Sequence, residues 1–553
     1  MLPLLVIAVF AWSFWPVRGG DFVIDDYVFL AQSRLIDNPL VAFWSNHFYE
    51  PIYFRPIGIM IWWLAAAAFG MDYAAHSLIN LGLHSINVLL LHALLVQLGI
   101  RAPARLAGVV LFALLPFSFA AVLWPSNRFD LLAVSFLLPL SMAVLHYLNH
   151  GRAWALLLAA ALTIAACLGK EIAFPVAAAL ACLVMAARQV ALERRVMLFA
   201  VLGATVVLAF LYRHVLLTAP YAVVGNDVLS RMLSGTGTWL GSMPDLARAA
   251  VTDPVLPGLA LVAWLAMLIA LAGCTVSAII QGWQQRRSGR HAAPSRTLSG
   301  QPWHQRILAA TLMVALISIL VQTPLAYNFR EMLAADPLGT VTYARFYYLP
   351  MAALAVVVAV VLMRAPRTAL WSASLVIAGL TLAVEQRGLS ERFAAWTISE
   401  IRPMAVAASE TADAASAQMR ELIINDQPCV LVFLDTQHDH PWFRMFSDVT
   451  VKARARNELT WRCYVMTEST PWLFISPRDL PLSTVGLPVT ASDPSGTPLE
   501  DSCWSGVRYR YRQAPGDIWS LPGARYFAWQ DNHFVEVTEQ VYARQREVEF
   551  HRW

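Results

Sequence analysis

Apolar runs alternate with short polar or basic connections over the first 385 residues of the chain. A helix needs about 20 apolar residues to cross a hydrocarbon core about 30 Å thick, and most of these runs approach that length. The pattern predicts a polytopic α-helical membrane protein with about 11 transmembrane helices. The predicted spans are residues 2–17, 76–98, 104–123, 130–149, 153–168, 172–187, 196–216, 256–281, 307–325, 346–363 and 368–385.

Two apolar segments near the N-terminus need a separate interpretation. Residues 2–17 lack a basic n-region and a small-x-small cleavage site, so we expect a retained membrane anchor rather than a cleaved signal peptide. The segment 56–70 is short and directly follows Arg55, which predicts a re-entrant or interfacial helix. If it crossed the membrane instead, the orientation given below would invert.

The basic connections between the spans all fall on one side of the predicted membrane. Because Lys and Arg concentrate in cytoplasmic loops, we expect that side and the N-terminus to be cytoplasmic, which in a bacterium places the protein in the inner membrane. The basic connections hold Arg101, Arg105, Arg152, Arg188, Arg194, Arg195, the stretch 281–306, Arg364 and Arg367. The periplasmic segments are then 18–75, 124–129, 169–171, 217–255, 326–345 and the tail after Glu385.

Composition agrees with this class of protein. Hydrophobic residues make up 58% of the chain and charged residues 14%, and the mean hydropathy is +0.55, which together exclude a single soluble globular enzyme. The formal net charge is only +4, and the basic residues cluster at the ends of apolar runs. They therefore indicate membrane topology and do not indicate a nucleic-acid partner.

The tail, residues 386–553, differs in character from the rest of the chain. Short apolar or alternating runs such as 429–434 and 461–466 are separated further on by Pro-Gly turn signals, which predicts a soluble extracytoplasmic α/β domain. The tail also holds three of the six cysteines, Cys429, Cys463 and Cys503. These three cysteines allow one disulfide and one remaining thiol if the tail is extracytoplasmic, but the sequence does not choose the pair.

Two adjacent carboxylates, Asp25 and Asp26, lie in the first outer loop close to the end of the first span. At a membrane surface one carboxylate is able to deprotonate an acceptor hydroxyl while a second orients it or binds a divalent metal. Asp21 is a further candidate for the base. The alternative is that these residues are solvated loop acids.

Three cations occupy outer positions where they can neutralise a lipid phosphate. Arg55 precedes the proline that begins an apolar helix, Lys170 lies beside Glu171 between two apolar runs, and Arg345 precedes the tenth span among aromatic residues. The alternatives are interfacial snorkelling of Arg55, a generic aromatic belt around Arg345, and capping of a helix end by Lys170 and Glu171.

Polar side chains also occur inside the predicted spans. Such groups are often functional, although hydrogen bonding between helices is the more frequent reason for them. One face of the second span carries His76, Asn80, His84 and Asn87, and the start of the fourth carries Arg128 and Asp130, which a local ion pair explains equally well. A metal interpretation of the tail cluster around His438 and His440 lacks further ligands.

Taken in order, these motifs resemble the GT-C superfamily of polyprenyl-phosphate-sugar-dependent glycosyltransferases, especially its protein O-mannosyltransferase-like branch. The resemblance covers residues 1–385 and is carried by Asp25-Asp26, Phe54-Arg55-Pro56, Asn80 with His84 and Asn87, Arg128-Phe-Asp130-Leu-Leu, Lys170-Glu171, and Ala344-Arg345-Phe-Tyr-Tyr-Leu-Pro. Three features depart from it. His76 is one residue off the expected spacing, Ala344 replaces a glutamate, and the tail is not a tetratricopeptide array.

The resemblance implies a membrane catalytic domain at 1–385, and the change in sequence character predicts the second domain at 386–553. It implies inverting transfer of a sugar from a polyprenyl-monophosphate carrier to a periplasmic protein or envelope-glycan acceptor, with Asp25 or Asp26 as base. No cofactor is required, and the acid pair is compatible with a divalent metal. The donor phosphate would be bound by Arg55, Lys170 and Arg345. The residues that orient these groups or position the acceptor would be Asn80, His84, Arg128, Asp130 and Glu171. Two other classes stay open: a transporter or flippase of lipid-linked sugars, and a noncatalytic membrane scaffold with a periplasmic binding domain.

Overall fold

The computed structural model describes two compact units. The first comprises the described residues of 1–20, 72–213 and 223–395, and the second those of 21–71, 214–222 and 396–553. The structure describes residues 2–23, 26–27, 29–30, 33, 38–44, 54–185, 187, 190–216, 348–364, 368–403, 406, 429–434, 463–467, 473–475, 500–504, 507–511, 524–530, 533–541 and 543.

Apolar helices make up the first unit, as the hydrophobic pattern predicts. Helix α1 is Leu2–Phe14 and continues as a 3₁₀ turn, Trp15–Gly19. Eleven α-helices are described in the chain as a whole. After α1 they are α2 Pro56–Phe69, α3 Tyr73–Gln97, α4 Ala102–Leu114, α5 Pro116–Leu123, α6 Arg128–His150, α7 Ala153–Gly169, α8 Ala173–Met185, α9 Leu192–Leu216, α10 Tyr348–Arg364 and α11 Thr368–Trp396.

Within the described residues, five helical segments are long and apolar enough to cross a membrane: Leu2–Gly19, Tyr73–Gln97, Pro125–His150, Leu192–Leu216 and Thr368–Ile401. At about 1.5 Å per residue, the 25 residues of α3 reach about 37 Å, more than a hydrocarbon core. Shorter apolar helices occupy other predicted spans. The protein is therefore a helical membrane protein, and the predicted spans 256–281 and 307–325 lie outside the described residues.

The predicted span 104–123 is divided into two helices. Helix α4 ends at Leu114 and α5 begins at Pro116, because proline has no N–H and its ring clashes with a continuing helix. The carbonyl of Leu114, left without a helical partner, accepts a hydrogen bond from Gln386 Nε2. This bond ties the break to α11.

Helix α2 has 14 residues, which gives a length of about 21 Å, too short for a straight crossing. Its N-cap is Arg55, and Pro56 takes the first helical position, where its missing N–H costs nothing. The helix ends at Gly70, whose φ of 58° suits glycine. The interfacial or re-entrant position of this segment stays a prediction.

Helix α11 continues past Glu385, where the sequence pattern ends the last span, to Trp396. Gln386 and Ser390 are polar but fully buried. Ser390 donates to the Ser13 carbonyl at 2.8 Å, and Gln386 Nε2 donates to the carbonyl at the end of α4, so both side chains donate to neighbouring helices. Packing of this kind extends a helix beyond its apolar sequence.

The second unit contains all seven described strands: β1 Cys429–Leu434, β2 Cys463–Thr467, β3 Leu473–Ile475, β4 Glu500–Trp504, β5 Val507–Tyr511, β6 Ala524–Gln530 and β7 His533–Glu536. One sheet has the order β2-β1-β6-β7, with β1 parallel to both neighbours and β7 antiparallel to β6. The other is antiparallel, in the order β3-β5-β4. Parallel neighbours need crossover connections, as in an α/β domain, but those connections lie outside the described residues.

Candidate functional site

The polar face of α3 holds neighbouring helices together. Asn80 Nδ2 donates to the Trp124 carbonyl at 2.9 Å, at the end of α5, and Asn87 Nδ2 donates to the Leu131 carbonyl of α6 at 2.9 Å. Asn87 Oδ1 accepts from Ser135 Oγ at 2.8 Å. Both asparagines are fully buried. Their described bonds are interhelical, which is the packing alternative considered above.

His84 lies in an aromatic environment at the centre of the helical unit. Its Nδ1 lies 2.8 Å from Tyr348 Oη, and its ring lies 4.3 Å from Phe10 and 5.4 Å from Phe112, centroid to centroid. Tyr348 Oη also accepts from Asn87 Nδ2 at 3.1 Å. These contacts connect α3 to α10 and give His84 a packing role in addition to any role with an acceptor.

Arg128 begins α6 and is completely buried. Its Nε donates to Asn80 Oδ1 at 3.2 Å and its Nη2 to the His76 carbonyl at 3.1 Å. A guanidinium presents its donors in a fixed plane, so two oxygens of one helix can be bound at once. Arg128 therefore fixes the start of α6 against α3.

In the first turn of α6, Asp130 pairs with Lys170 at the end of α7. Asp130 Oδ2 lies 2.5 Å from Lys170 Nζ, and the two side chains are only 9% and 12% exposed. Lys170 follows directly after α7, whose last residue is Gly169, so the α6–α7 packing brings the two charges together. In an apolar unit, each charge of an ion pair offsets the desolvation cost of the other. Removing one member therefore leaves the other buried without compensation.

The next residue, Glu171, forms a second ion pair. Its Oε1 lies 3.6 Å from Arg213 Nη2, and the Arg213 guanidinium lies 5.9 Å from the centre of the Phe174 ring. Arg213 belongs to α9 and is 3% exposed. The sequence analysis overlooked Arg213. The signal was an arginine inside the apolar run 196–216, because a cation there needs a partner.

In the second unit, Asp21 and Asp26 bond to described residues close to them in the sequence. Asp26 is buried and its Oδ2 accepts from Val23 N–H at 2.8 Å, while Asp26 N–H donates to the Val23 carbonyl at 2.7 Å. The first bond is the half of a capping box in which an acidic side chain accepts from the N–H three residues before it, and the second is an ordinary backbone turn. Asp26 thus has a local structural role whatever else it does.

Asp21 has a different set of partners. Its Oδ1 accepts from Phe22 N–H at 2.7 Å, and its Oδ2 lies 2.6 Å from Arg402 Nε. Burial raises the pKa of the neighbouring Tyr27, and the carboxylates of Asp21 and Asp26 raise it further. Tyr27 therefore stays protonated at neutral pH and is able to donate its hydroxyl hydrogen.

The structure describes only some of the remaining predicted site residues. Arg55 is partly buried at the start of α2 in the second unit. Asp25, Arg345 and the tail cluster 437–440 lie outside the described residues. Among the residues that are described, no group of three or more His, Cys, Asp or Glu side chains is arranged to hold a metal ion.

Comparison with known proteins adds no assignment. No protein-family model matches the chain, and no curated protein matches it. The arguments about function therefore rest on the residues themselves. The strongest of these are the charged contacts of the helical unit, namely the bonds of Arg128 to α3 and the ion pairs Asp130–Lys170 and Glu171–Arg213.

Proposed function

We propose that this integral membrane protein is an inverting glycosyltransferase that moves a sugar from a polyprenyl-monophosphate carrier to an acceptor on the periplasmic face. The observation that carries the proposal is the nearly buried Lys170–Asp130 pair at 2.5 Å. The Glu171–Arg213 pair lies next to it in the same apolar unit. Charged side chains are costly in such surroundings, so their presence supports a functional role.

The proposed chemistry needs cations at the leaving phosphate. As the bond between the anomeric carbon and the phosphate oxygen breaks, the electron pair leaves with the lipid phosphate and the sugar develops oxocarbenium character. Fixed cations stabilise the charge that develops on the phosphate. We assign Lys170 to this task, with Arg55 and Arg345 as further cations.

The same reaction needs a base for the acceptor. A carboxylate of the first loop, Asp26 or Asp25, takes the proton of the acceptor hydroxyl while that oxygen bonds to the anomeric carbon. The bond from Val23 N–H to Asp26 Oδ2 supports the assignment in one respect, because it orients the carboxylate. Glu171, Asn80, His84, Arg128 and Asp130 are assigned to positioning.

Native mass spectrometry of the protein gently extracted from its own membranes tests the donor. Wild type and Arg101→Ala, which changes an exposed arginine, should carry a polyprenyl phosphate with a hexose, pentose or amino-sugar mass, and Lys170→Met should lose it. Only ordinary phospholipids, the same in all three proteins, would contradict the proposal and favour a scaffold.

The base is tested by turnover with that lipid as donor. Asp26→Asn should lower the transfer rate at least 100-fold while lipid binding is kept, since general-base catalysis contributes about 10²–10⁴. Asp72→Asn is the control, because Asp72 is the exposed N-cap of α3 and asparagine caps equally well. Unchanged transfer in Asp26→Asn would exclude Asp26 as base and leave Asp25 and Asp21.

A second candidate function is transport of a lipid-linked sugar. The helix break between α4 and α5 favours it, since discontinuous helices often form substrate sites in transporters. Proteoliposomes distinguish the two. A transporter moves the lipid-linked sugar between leaflets with no acceptor present, and Asp26→Asn leaves that movement unchanged.

A further inference from the structure

Asn127 precedes α6 in the N-cap position but does not cap the helix. Asparagine is among the best N-cap residues, yet this side chain accepts no hydrogen bond from the first turn. It is fully buried, and among the described residues neither Nδ2 nor Oδ1 has a hydrogen-bond partner. A buried amide in this state carries an unmet donor and an unmet acceptor.

The turn that carries Asn127 is fixed on both sides. Asn80 Nδ2 bonds the Trp124 carbonyl at 2.9 Å just before the turn Pro125–Asn127, and Arg128 bonds Asn80 Oδ1 just after it. Asn127 N–H itself donates to the Trp124 carbonyl at 3.0 Å. The backbone is thus pre-organised, and the unmet amide is not the result of a loose loop.

A second buried asparagine gives the contrast. Asn87 is equally buried, but its amide donates to Leu131 and Tyr348 and accepts from Ser135. Native proteins seldom leave a buried polar group unbonded, and where they do, a ligand or water commonly supplies the missing bonds. Asn87 is satisfied by the protein alone, and Asn127 is not satisfied by its described surroundings.

The missing partner must both donate and accept. Phosphate oxygens only accept from an amide, and lipid chains do neither, whereas neighbouring hydroxyls of a sugar do both. Asn127 is the N-cap of α6 and Asp130 lies three positions later in its first turn, and Cβ atoms at that spacing on a helix lie about 5–6 Å apart, comparable to the width of a sugar ring. Asp130 in turn holds Lys170, the cation assigned to the donor phosphate.

We infer that Asn127 binds ring hydroxyls of the donor sugar and selects among sugars, an inference that rests on the proposed function. A sugar hydroxyl and a buried water share the chemistry that the amide needs. The stability of the Asn127 variant in the absence of ligand distinguishes a sugar site from a site of bound water. Replacing an unbonded amide by an apolar side chain is neutral or stabilising, whereas removing an amide that bonds a structural water leaves the water's other partners unpaired.

The test uses the full protein in lipid nanodiscs with octyl glycosides of glucose, mannose and galactose, and with octyl phosphate as a probe that offers no ring hydroxyls. Asn127→Leu should melt at or above the wild-type temperature, bind the preferred octyl glycoside at least about tenfold more weakly, and bind octyl phosphate equally. The matched control Asn87→Leu should melt lower, because its bonding partners are left unpaired.

Three results would overturn the inference: glycoside binding equal in wild type and Asn127→Leu, a melting temperature lowered in Asn127→Leu as in Asn87→Leu, or no glycoside bound by wild type. Failure of the proposed function looks different. If Asn127→Leu loses the glycoside but no lipid-linked sugar is ever transferred, the sugar site stands and the transferase does not.

Discussion

The stability that a charged residue contributes inside the helical unit depends on the oppositely charged residue beside it. Lys170 and Asp130 lie 2.5 Å apart with little exposure, and Arg213 and Glu171 lie 3.6 Å apart. The attraction in each pair offsets a large desolvation penalty, so the net contribution of an intact pair is small while the loss of one member is expensive.

We therefore expect Lys170→Met to lower the free energy of unfolding by about 3 kcal/mol and Asp130→Leu to lower it by a similar amount. The double variant should recover most of that loss, since no buried charge is then left alone. Thermal unfolding in detergent measures all three. Additive losses in the double variant would show that the two residues do not stabilise each other.

Arg128 provides a second test at this scale. Its guanidinium bonds two oxygens of α3, at 3.2 and 3.1 Å, and an ammonium at that position cannot match both directions. Arg128→Lys should cost about 1.5–3 kcal/mol of stability, the range for hydrogen bonds to a charged group. Arg101→Lys, at an exposed residue, should leave the melting temperature unchanged. Equal melting temperatures for the two variants would contradict the role given to Arg128.

Among the helices, close approach depends on small residues. A Cβ on Gly108 of α4 would lie 2.9 Å from the Ala355 carbonyl and 3.1 Å from Ala359 Cβ, both of α10. Backbone cannot yield as a side chain does, so α4 and α10 must separate to admit a methyl group.

Gly108→Ala is accordingly expected to destabilise the protein by about 1–3 kcal/mol. Gly82→Ala, in α3 with no neighbouring atom within 4 Å, should leave stability unchanged or raise it slightly, because alanine favours the helix. Melting temperatures in one detergent compare the two. A higher melting temperature for Gly108→Ala would show that the helices are not in close contact there.

In the tail, strand register narrows the choice of disulfide. Cys429 of β1 lies opposite Cys463 of β2, and neighbouring strands lie about 4.8 Å apart, whereas Cys503 belongs to the other sheet. Disulfides bridge Cα atoms 4.4–6.8 Å apart. The strand pairing thus favours one of the three possible pairs.

We expect peptide mapping of the non-reduced protein to find Cys429 linked to Cys463 and Cys503 as a free thiol. Such a bond forms in the periplasm and not in the cytoplasm, so the measurement also reports on topology. The reduced sample is the control. Linkage to Cys503 would contradict the register, and three free thiols would count against a periplasmic tail.

For the whole molecule, the decisive property is which face of the membrane each loop occupies. Met71 in the connection between α2 and α3 is 45% exposed, and Arg152 in the connection between α6 and α7 is also exposed, so both suit labelling. Met71→Cys should react with an impermeant thiol reagent in intact cells, and Arg152→Cys only after permeabilisation. The parent protein gives the background from native cysteines. The opposite pattern would invert the topology and remove the basis of the proposed function.

The sequence alone predicted the membrane class and the positions of most described helices. In lipid, backbone N–H and C=O groups must form their hydrogen bonds within the protein, and an apolar run does so as a helix. Where sequence and structure differ, tertiary contacts decide. The break at Pro116 follows from the residue itself, but the extension of α11 past Glu385 depends on Ser13 and Leu114, residues remote in sequence.

Candidate site residues follow the same division. The sequence singled out Asp130, Lys170 and Arg128 because charge in an apolar segment stands out wherever it lies. It could not pair Asp130 with Lys170, connect Arg128 to Asn80 across 48 residues, or recognise Asn127, whose amide is notable only once its burial and lack of described partners are known. The residue types and their spacing determine the local chemistry. Which side chains of different helices contact each other depends on packing, which only the tertiary structure determines.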